Sequence, residues 1–206
     1  MSRAVSLIAH YQQAKAALGE VAGMLTGLAV PDSGAGLWLA ELTPVARLLV
    51  TGPDAASSLN AAGLPTPALF EVAVGGAACV AQTAPRQFLL SAHVTTPTTL
   101  PALASSAGAL VLVTEFAEFA VGGPDWAALI LEIATADSAA PGASAWFPTQ
   151  ICGIDAVLCR EAWGFRVLCA PAEGVWLGGA LLERVRARGG CLTGFNDFLA
   201  ITETTR

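Results

Sequence analysis

Apolar positions recur in this chain at two periods, and the switches between them outline its elements. In residues 45–50, Ala46, Leu48 and Val50 share one face and Val45, Arg47 and Leu49 the other, as in a strand. A short strand over residues 37–42 precedes it. The chain then turns at Gly52-Pro53-Asp54 into a helix expected to reach about Ala62, where Gly63 stops it. Pro53 suits the first helical position, and Asp54 adds negative charge near the positive end of the helix dipole. Strands are predicted at residues 77–83 and 87–92, and a second helix at 100–107.

The second half repeats that order. An apolar run at 110–113 and a strand at 116–121 lead into Gly123-Pro124-Asp125 and a helix over 126–136. A loop at 137–148 precedes hairpin strands at 154–160 and 165–170. A long helix follows at 172–188, with Val175, Leu181, Leu182 and Val185 as its buried stripe. Residues 192–201 read as a final strand. Gly52 and Gly123 are 71 residues apart, Phe88 and Phe165 are 77, and Gly108 and Gly189 are 81. The reading is therefore an α+β fold of two ferredoxin-like β-α-β-β-α units with antiparallel sheets, at residues 37–108 and 109–206. Residues 1–28 carry Val5, Ile8, Tyr11, Leu18, Val21, Leu25 and Leu28 at near-helical spacing. They predict an N-terminal helical arm, which with the loop at 31–36 makes residues 1–36 a separate segment.

Composition narrows the function. The 206 residues are 54% hydrophobic and 13% charged, against roughly 25% charged in an average soluble chain. An Ala- and Gly-rich sequence accounts for part of this, and a partner that covers one face accounts for it equally well. The net charge of −6 argues against nucleic acid as a partner. No uninterrupted apolar run of membrane-spanning length occurs, so no membrane partner is expected. The five cysteines form no C-x-x-C pair and read as reduced thiols of a cytoplasmic protein.

Candidate chemistry is sparse. There is no Gly-Lys-Ser/Thr, and Pro124 removes a backbone N–H that a phosphate-binding turn needs. The two histidines, His10 and His93, lack converging partners. The carboxylates Glu115, Glu118, Asp137, Asp155, Glu161 and Glu173 are expected in solvent. No catalytic, cofactor-binding or metal-ligating residue is expected. The five tryptophans carry more information. Trp126 and Trp176 are assigned to packing, and Trp146 and Trp163, beside a loop and at a hairpin tip, are the interface candidates.

Two segments carry a resemblance. The run from Leu39 through Glu41, Thr43, Arg47 and Val50 to Gly52-Pro53-Asp54-Ala55 resembles the D-L-S…R…V-x-G-x-D-A opening of the aminomethyltransferase (glycine-cleavage T-protein) folate-binding fold. Gly164-Phe165-Arg166-Val167-Leu168, then Pro171-Ala172-Glu173 and Leu181-Leu182, resembles that family's G-F-E-x-x-V-P…L-W-x-x-L-L segment. The length is similar to that of the gamma (small) subunits of heterotetrameric sarcosine oxidase. Glu41 and Thr43 stand where Asp and Ser are usual, residues 75–88 lack an acidic residue, and Arg166 stands where a pterin-gripping glutamate is expected.

The resemblance implies a non-catalytic small subunit that stabilises a flavoenzyme complex. Such a complex oxidises sarcosine or a similar N-methyl amine and passes the one-carbon unit to tetrahydrofolate. FAD, FMN, NAD and tetrahydrofolate are then held by partner subunits, the large alpha subunit among them. The alternative is a stand-alone folate-binding or aminomethyltransferase-like protein. A ligand-binding regulatory module built from two ferredoxin-like halves rests on fold analogy alone.

Overall fold

The computed structural model describes residues 3–31, 36–76, 78–135 and 146–203. Strand β1 (Arg3–Ala4) and helix α1 (Ile8–Gln13) open the chain, followed by β2 (Ala17–Val21) and β3 (Met24–Ala29). Then come β4 (Trp38–Glu41), β5 (Arg47–Thr51), α2 (Ala55–Ala61), β6 (Val72–Gly75), β7 (Ala78–Ala84) and β8 (Gln87–Ala92). Next are β9 (Leu110–Val113), β10 (Ala117–Gly122), α3 (Trp126–Ile133), β11 (Trp146–Ile151), β12 (Ile154–Glu161) and β13 (Gly164–Cys169). A 3-10 turn (Pro171–Glu173), α4 (Gly174–Ala187), β14 (Cys191–Leu192) and α5 (Phe195–Glu203) complete it. The fold is α+β, with one antiparallel sheet and two mixed ones.

The chain divides into two compact units whose contents differ from the division expected at residue 108. A split unit takes Met1–Pro44, Phe116–Ala143 and Pro148–Arg206. A central unit takes Val45–Glu115 and Ser144–Phe147. The reason is an exchange of leading strands. β4 precedes β5 in sequence but pairs with β10, while β9 precedes β10 but pairs with β5. The two sheets then share one order: β11-β12-β13-β10-β4 in the split unit and β6-β7-β8-β5-β9 in the central one. Register matches as well. Val50 faces Phe88 and Val111 as Val121 faces Phe165 and Leu39.

The repeated turns follow this exchange. A Cβ on Gly52 would run into the Gly108 carbonyl oxygen, and one on Gly123 into that of Gly36. Both glycines have positive φ, 131° and 95°, which a larger residue resists. Gly108 thus corresponds to Gly36, not to Gly189 as the sequence offsets suggest. The first helix begins at Ala55, two residues later than expected, and the second at Trp126 as expected. Asp54 and Asp125 are the N-caps, so Pro53 and Pro124 lie before the helix.

Three expected elements take another form. The arm is not one helix: only Ile8–Gln13 is helical, and β2 and β3 form a hairpin. Ala22 and Gly23, with φ of 50° and 77°, supply the two left-handed residues of a tight hairpin turn. Residues 192–201 are not a strand. After the two-residue β14 the chain enters α5, where Asp197 Oδ2 accepts from the Gly194 N–H at 3.3 Å and so helps to cap the helix. Residues 100–107 form no helix. The hydroxyls of Ser105 and Ser106 bond the backbone of Val111 and Ala109 instead of a helical turn. Strand β6 lies where no element is predicted, β11 begins inside the loop expected at 137–148, and Asp137 falls outside the described residues.

Packing follows from the sheets. In the central unit Val50, Ala55, Leu59, Leu64, Val80, Phe88 and Leu90 form the core, with Leu100 and Leu103 laid against it where a second helix was expected. In the split unit Leu177, Leu181 and Val185 recur every four residues along α4 and, with Gly178, face the sheet beside Phe119. Val175, six residues from Leu181 and so about 240° around the helix, is exposed rather than part of this stripe. Arg184 and Arg188 near the end of α4 pair with Glu132 of α3. Among the described residues no helix is long and apolar enough to cross a membrane.

Candidate functional site

The interface candidates from sequence are drawn inward. Trp146, in β11, is only 2% exposed, and its backbone N–H donates to the Phe70 carbonyl at 2.9 Å. It is therefore a core residue of the free chain and not a surface anchor. Trp163, at the β12–β13 turn, is half-buried. Its ring stacks on Trp38 with centroids 5.3 Å apart, and Phe198 of α5 meets it edge-on at 5.5 Å. The exposed tryptophan is Trp176, 76% exposed beside the exposed Val175 on α4. The sequence assignment of Trp176 to packing does not hold. The signal lay in phase, because Trp176 is one residue before Leu177, which begins the inward-facing row.

The densest polar cluster lies on β10, β12 and β13 of the split unit. Residues of β10 alternate between its two faces. Ala117 and Phe119 face α4, so Glu118 points to the opposite face with Arg166 of β13. Glu118 is fully buried, contrary to the solvated position expected of it. β10 has a partner strand on each side and no exposed residue, so neither face offers water. Arg166 donates from Nη1 to Glu118 Oε1 at 3.1 Å and from Nε to Glu161 Oε1 at 3.2 Å. Cys159 lies against Glu161 with Sγ 3.7 Å from Oε1, and burial pushes its thiol up to about 12. A thiol held that far from ionisation is no nucleophile.

A second carboxylate, Glu41 of β4, lies opposite Phe119 and so on the helix-covered face. The backbone N–H groups of Ser6 and Leu7, just ahead of α1, donate to Oε1 and Oε2 at 2.8 and 2.7 Å. The Thr43 hydroxyl adds a third hydrogen bond to Oε1 at 2.7 Å. Thr43 Oγ1 also accepts from the Glu118 N–H at 3.1 Å, linking β4's exit to β10. Burial raises the Glu41 pKa, and these hydrogen bonds oppose the rise without cancelling it. Tyr11 of α1 is bound to the same strand, accepting from the Glu41 N–H at 3.2 Å and donating to the Thr193 carbonyl at 3.1 Å. Glu41 and Tyr11 therefore fasten the N-terminal segment.

These clusters are built to hold strands and segments together. Arg166 sits where the resemblance expects a carboxylate, and its guanidinium engages two carboxylates of its own sheet. Among the described residues, no group of three or more His, Cys, Asp or Glu is placed to hold a metal ion. Glu115, Asp155 and Glu173 are exposed, as expected of them.

No family model matches the sequence, and no curated protein does. Solved structures do match. One is the glycine cleavage system aminomethyltransferase T from Bartonella henselae, with a TM-score of 0.70 and 17% identity over 96% of this chain. This chain covers only 61% of the length of that one. Another is a chain of the heterotetrameric sarcosine oxidase from Corynebacterium sp. U-96, solved in complex with pyrrole 2-carboxylate. That match has a TM-score of 0.61 and 19% identity, over 75% of this chain and 86% of that one. The fold is thus aminomethyltransferase-like, as the two sequence motifs implied.

Proposed function

We propose that this chain is a non-catalytic small subunit that stabilises a sarcosine-oxidase-like flavoenzyme complex. In this reading the complex oxidises an N-methyl amine, sarcosine or a similar one, and its one-carbon unit passes to tetrahydrofolate. FAD, FMN, NAD and the folate belong to the partner subunits, the large alpha subunit chief among them, and the complex works in the cytoplasm. The observation that carries the reading is one of length and fold together. Three quarters of this chain spans 86% of a chain from a heterotetrameric oxidase, so the two are of similar size, whereas it spans 61% of the aminomethyltransferase. The buried Glu118–Arg166–Glu161 cluster supports it, because the position of the family's pterin-gripping carboxylate is given to a strand-linking cation.

The test is co-expression with candidate flavin-binding large chains. Co-purification in fixed ratio with a yellow, sarcosine-oxidising assembly is expected, and a colourless chain that never joins one contradicts the reading.

A second reading is a stand-alone folate-binding or aminomethyltransferase-like protein. Coverage favours it, since 96% of this chain matches the glycine cleavage protein. Calorimetry of the isolated chain with a reduced folate separates the two. Micromolar binding supports the stand-alone protein, and no binding supports the subunit.

A further inference from the structure

Among the described residues, strand β9 is an edge of its sheet, whereas its counterpart β4 has a strand on each side. The outer side of β4 is filled by β14. The Cys191 and Thr193 N–H groups donate to the Leu37 and Leu39 carbonyls at 2.9 and 2.7 Å. Through the matched register, Leu37 and Leu39 correspond to Ala109 and Val111. There two serines take the place of a strand. Ser106 N–H donates to the Ala109 carbonyl at 2.7 Å, and the Ala109 N–H donates to Ser106 Oγ at 3.1 Å. Ser105 Oγ accepts from the Val111 N–H at 2.9 Å and donates to its carbonyl at 3.4 Å.

The strap satisfies the backbone but leaves the side chains bare. Leu110 is 48% exposed, Leu112 42% and Val113 83%, whereas β4 is buried throughout. Native edge strands are usually guarded by charge. Here no Asp, Glu, Lys or Arg occurs between Arg86 and Glu115.

We propose that β9 accepts an extended segment of a partner subunit, which displaces Ser105 and Ser106 and lies parallel to β9 as β14 lies on β4. This deepens the subunit reading and rests on it for the existence of the partner. The internal copy specifies the chemistry of the occupant. It presents two backbone N–H groups, two residues apart, to the Ala109 and Val111 carbonyls, and it is uncharged, with an apolar residue in the place of Leu192. Exchanging serine bonds for strand bonds is nearly neutral, so the drive comes from covering Leu110, Leu112 and Val113. Main-chain pairing with side-chain cover is a recurrent mode of peptide recognition. A second copy of this chain is a poorer occupant, because its own β14 is committed to β4 and pairing two β9 edges displaces two straps.

The test uses the full chain and a synthetic peptide of residues 189–195, the segment that fills the equivalent edge. Ser105→Ala with Ser106→Ala is expected to bind the peptide at least tenfold more tightly than the parent, with slowed amide exchange at Ala109–Val113. Adding Val111→Pro removes an outward N–H and is expected to abolish the gain. Leu112→Glu in the same background does so without touching the backbone. The proposal is overturned by an absent gain, by a gain that survives both substitutions, or by a dimer of the parent chain that either substitution dissolves. None of these outcomes depends on a flavoprotein, so a failed edge and a failed subunit assignment are distinguishable.

Discussion

Arg166 of β13 donates to Glu118 of β10 at 3.1 Å, with the carboxylate fully buried and the guanidinium nearly so. The pair lies on the sheet face opposite α4, with Glu161 on the other side of the guanidinium. Breaking a buried pair from one side is costly, because a charge is left without its partner. Arg166→Met is expected to destabilise the chain by about 3–5 kcal/mol in urea or thermal unfolding. Arg166→Met with Glu118→Leu is expected to recover more than half of that loss. A double variant no more stable than the single one would show that the pair is not the source of the effect.

Glu41 couples the N-terminal segment to β4 through two hydrogen bonds, from the Ser6 and Leu7 N–H groups. Glu41→Ala leaves the Ser6 and Leu7 N–H groups without an acceptor and is expected to cost about 1–3 kcal/mol. Limited proteolysis is expected to reach residues 5–13 first.

The pKa of Glu41 is raised by desolvation, which fixes the sign of its pH dependence. A carboxyl whose folded pKa lies above its unfolded one binds more protons when folded. Its contribution is therefore greatest at low pH and declines as pH rises from the unfolded value through the folded one. Subtracting the stability curve of Glu41→Gln from that of the parent isolates this slope. A difference that grows in the parent's favour with rising pH contradicts the assignment.

Gly52, Gly123 and Gly179 separate backbone need from open space. Gly52 and Gly123 have positive φ and face a carbonyl oxygen, while a Cβ on Gly179 in α4 meets nothing within 4 Å. Gly179→Ala is expected to stabilise the chain by about 0.5–1 kcal/mol. Gly52→Ala and Gly123→Ala are each expected to lower stability by more than 1 kcal/mol, an order-of-magnitude figure for incompatible sites. Thermal melts of the three variants give the comparison directly.

Trp176 projects from α4 into solvent. Trp176→Phe is expected to leave stability within about 0.5 kcal/mol and to remove the most iodide-quenchable part of the fluorescence. Trp146→Phe is expected to spare that component.

Much of the strand and helix content was legible, because hydrophobic period and turn chemistry are local. The Gly-Pro-Asp turns, the 154–170 hairpin and α4 all follow from spacing within a few residues of themselves. What the sequence concealed was long-range. Nothing in Trp38-Leu39-Ala40-Glu41 says that it pairs with β10, some eighty residues away, and not with β5 next to it. The same exchange buries Glu118, whose alternating neighbours suggest one wet face. Residues 1–28 misled for a local reason: a short helix followed by a hairpin puts apolar residues at spacings that imitate one long helix. Trp146 misled because its loop-like surroundings conceal an inward-turned strand end. Arg166 was legible as a departure from a motif, but its two carboxylate partners emerge only when β10, β12 and β13 are side by side.

The proposed role makes this chain a small part of a flavin-bearing assembly. The most direct measurement is the native mass and visible spectrum of material purified through a tag on this chain from cells that make it at native level. The expected product is an assembly several times heavier than the single chain, with visible flavin absorbance that bleaches on addition of sarcosine or a similar N-methyl amine. A colourless product at the mass of one chain, binding a reduced folate at micromolar concentration, would contradict it and favour the stand-alone protein.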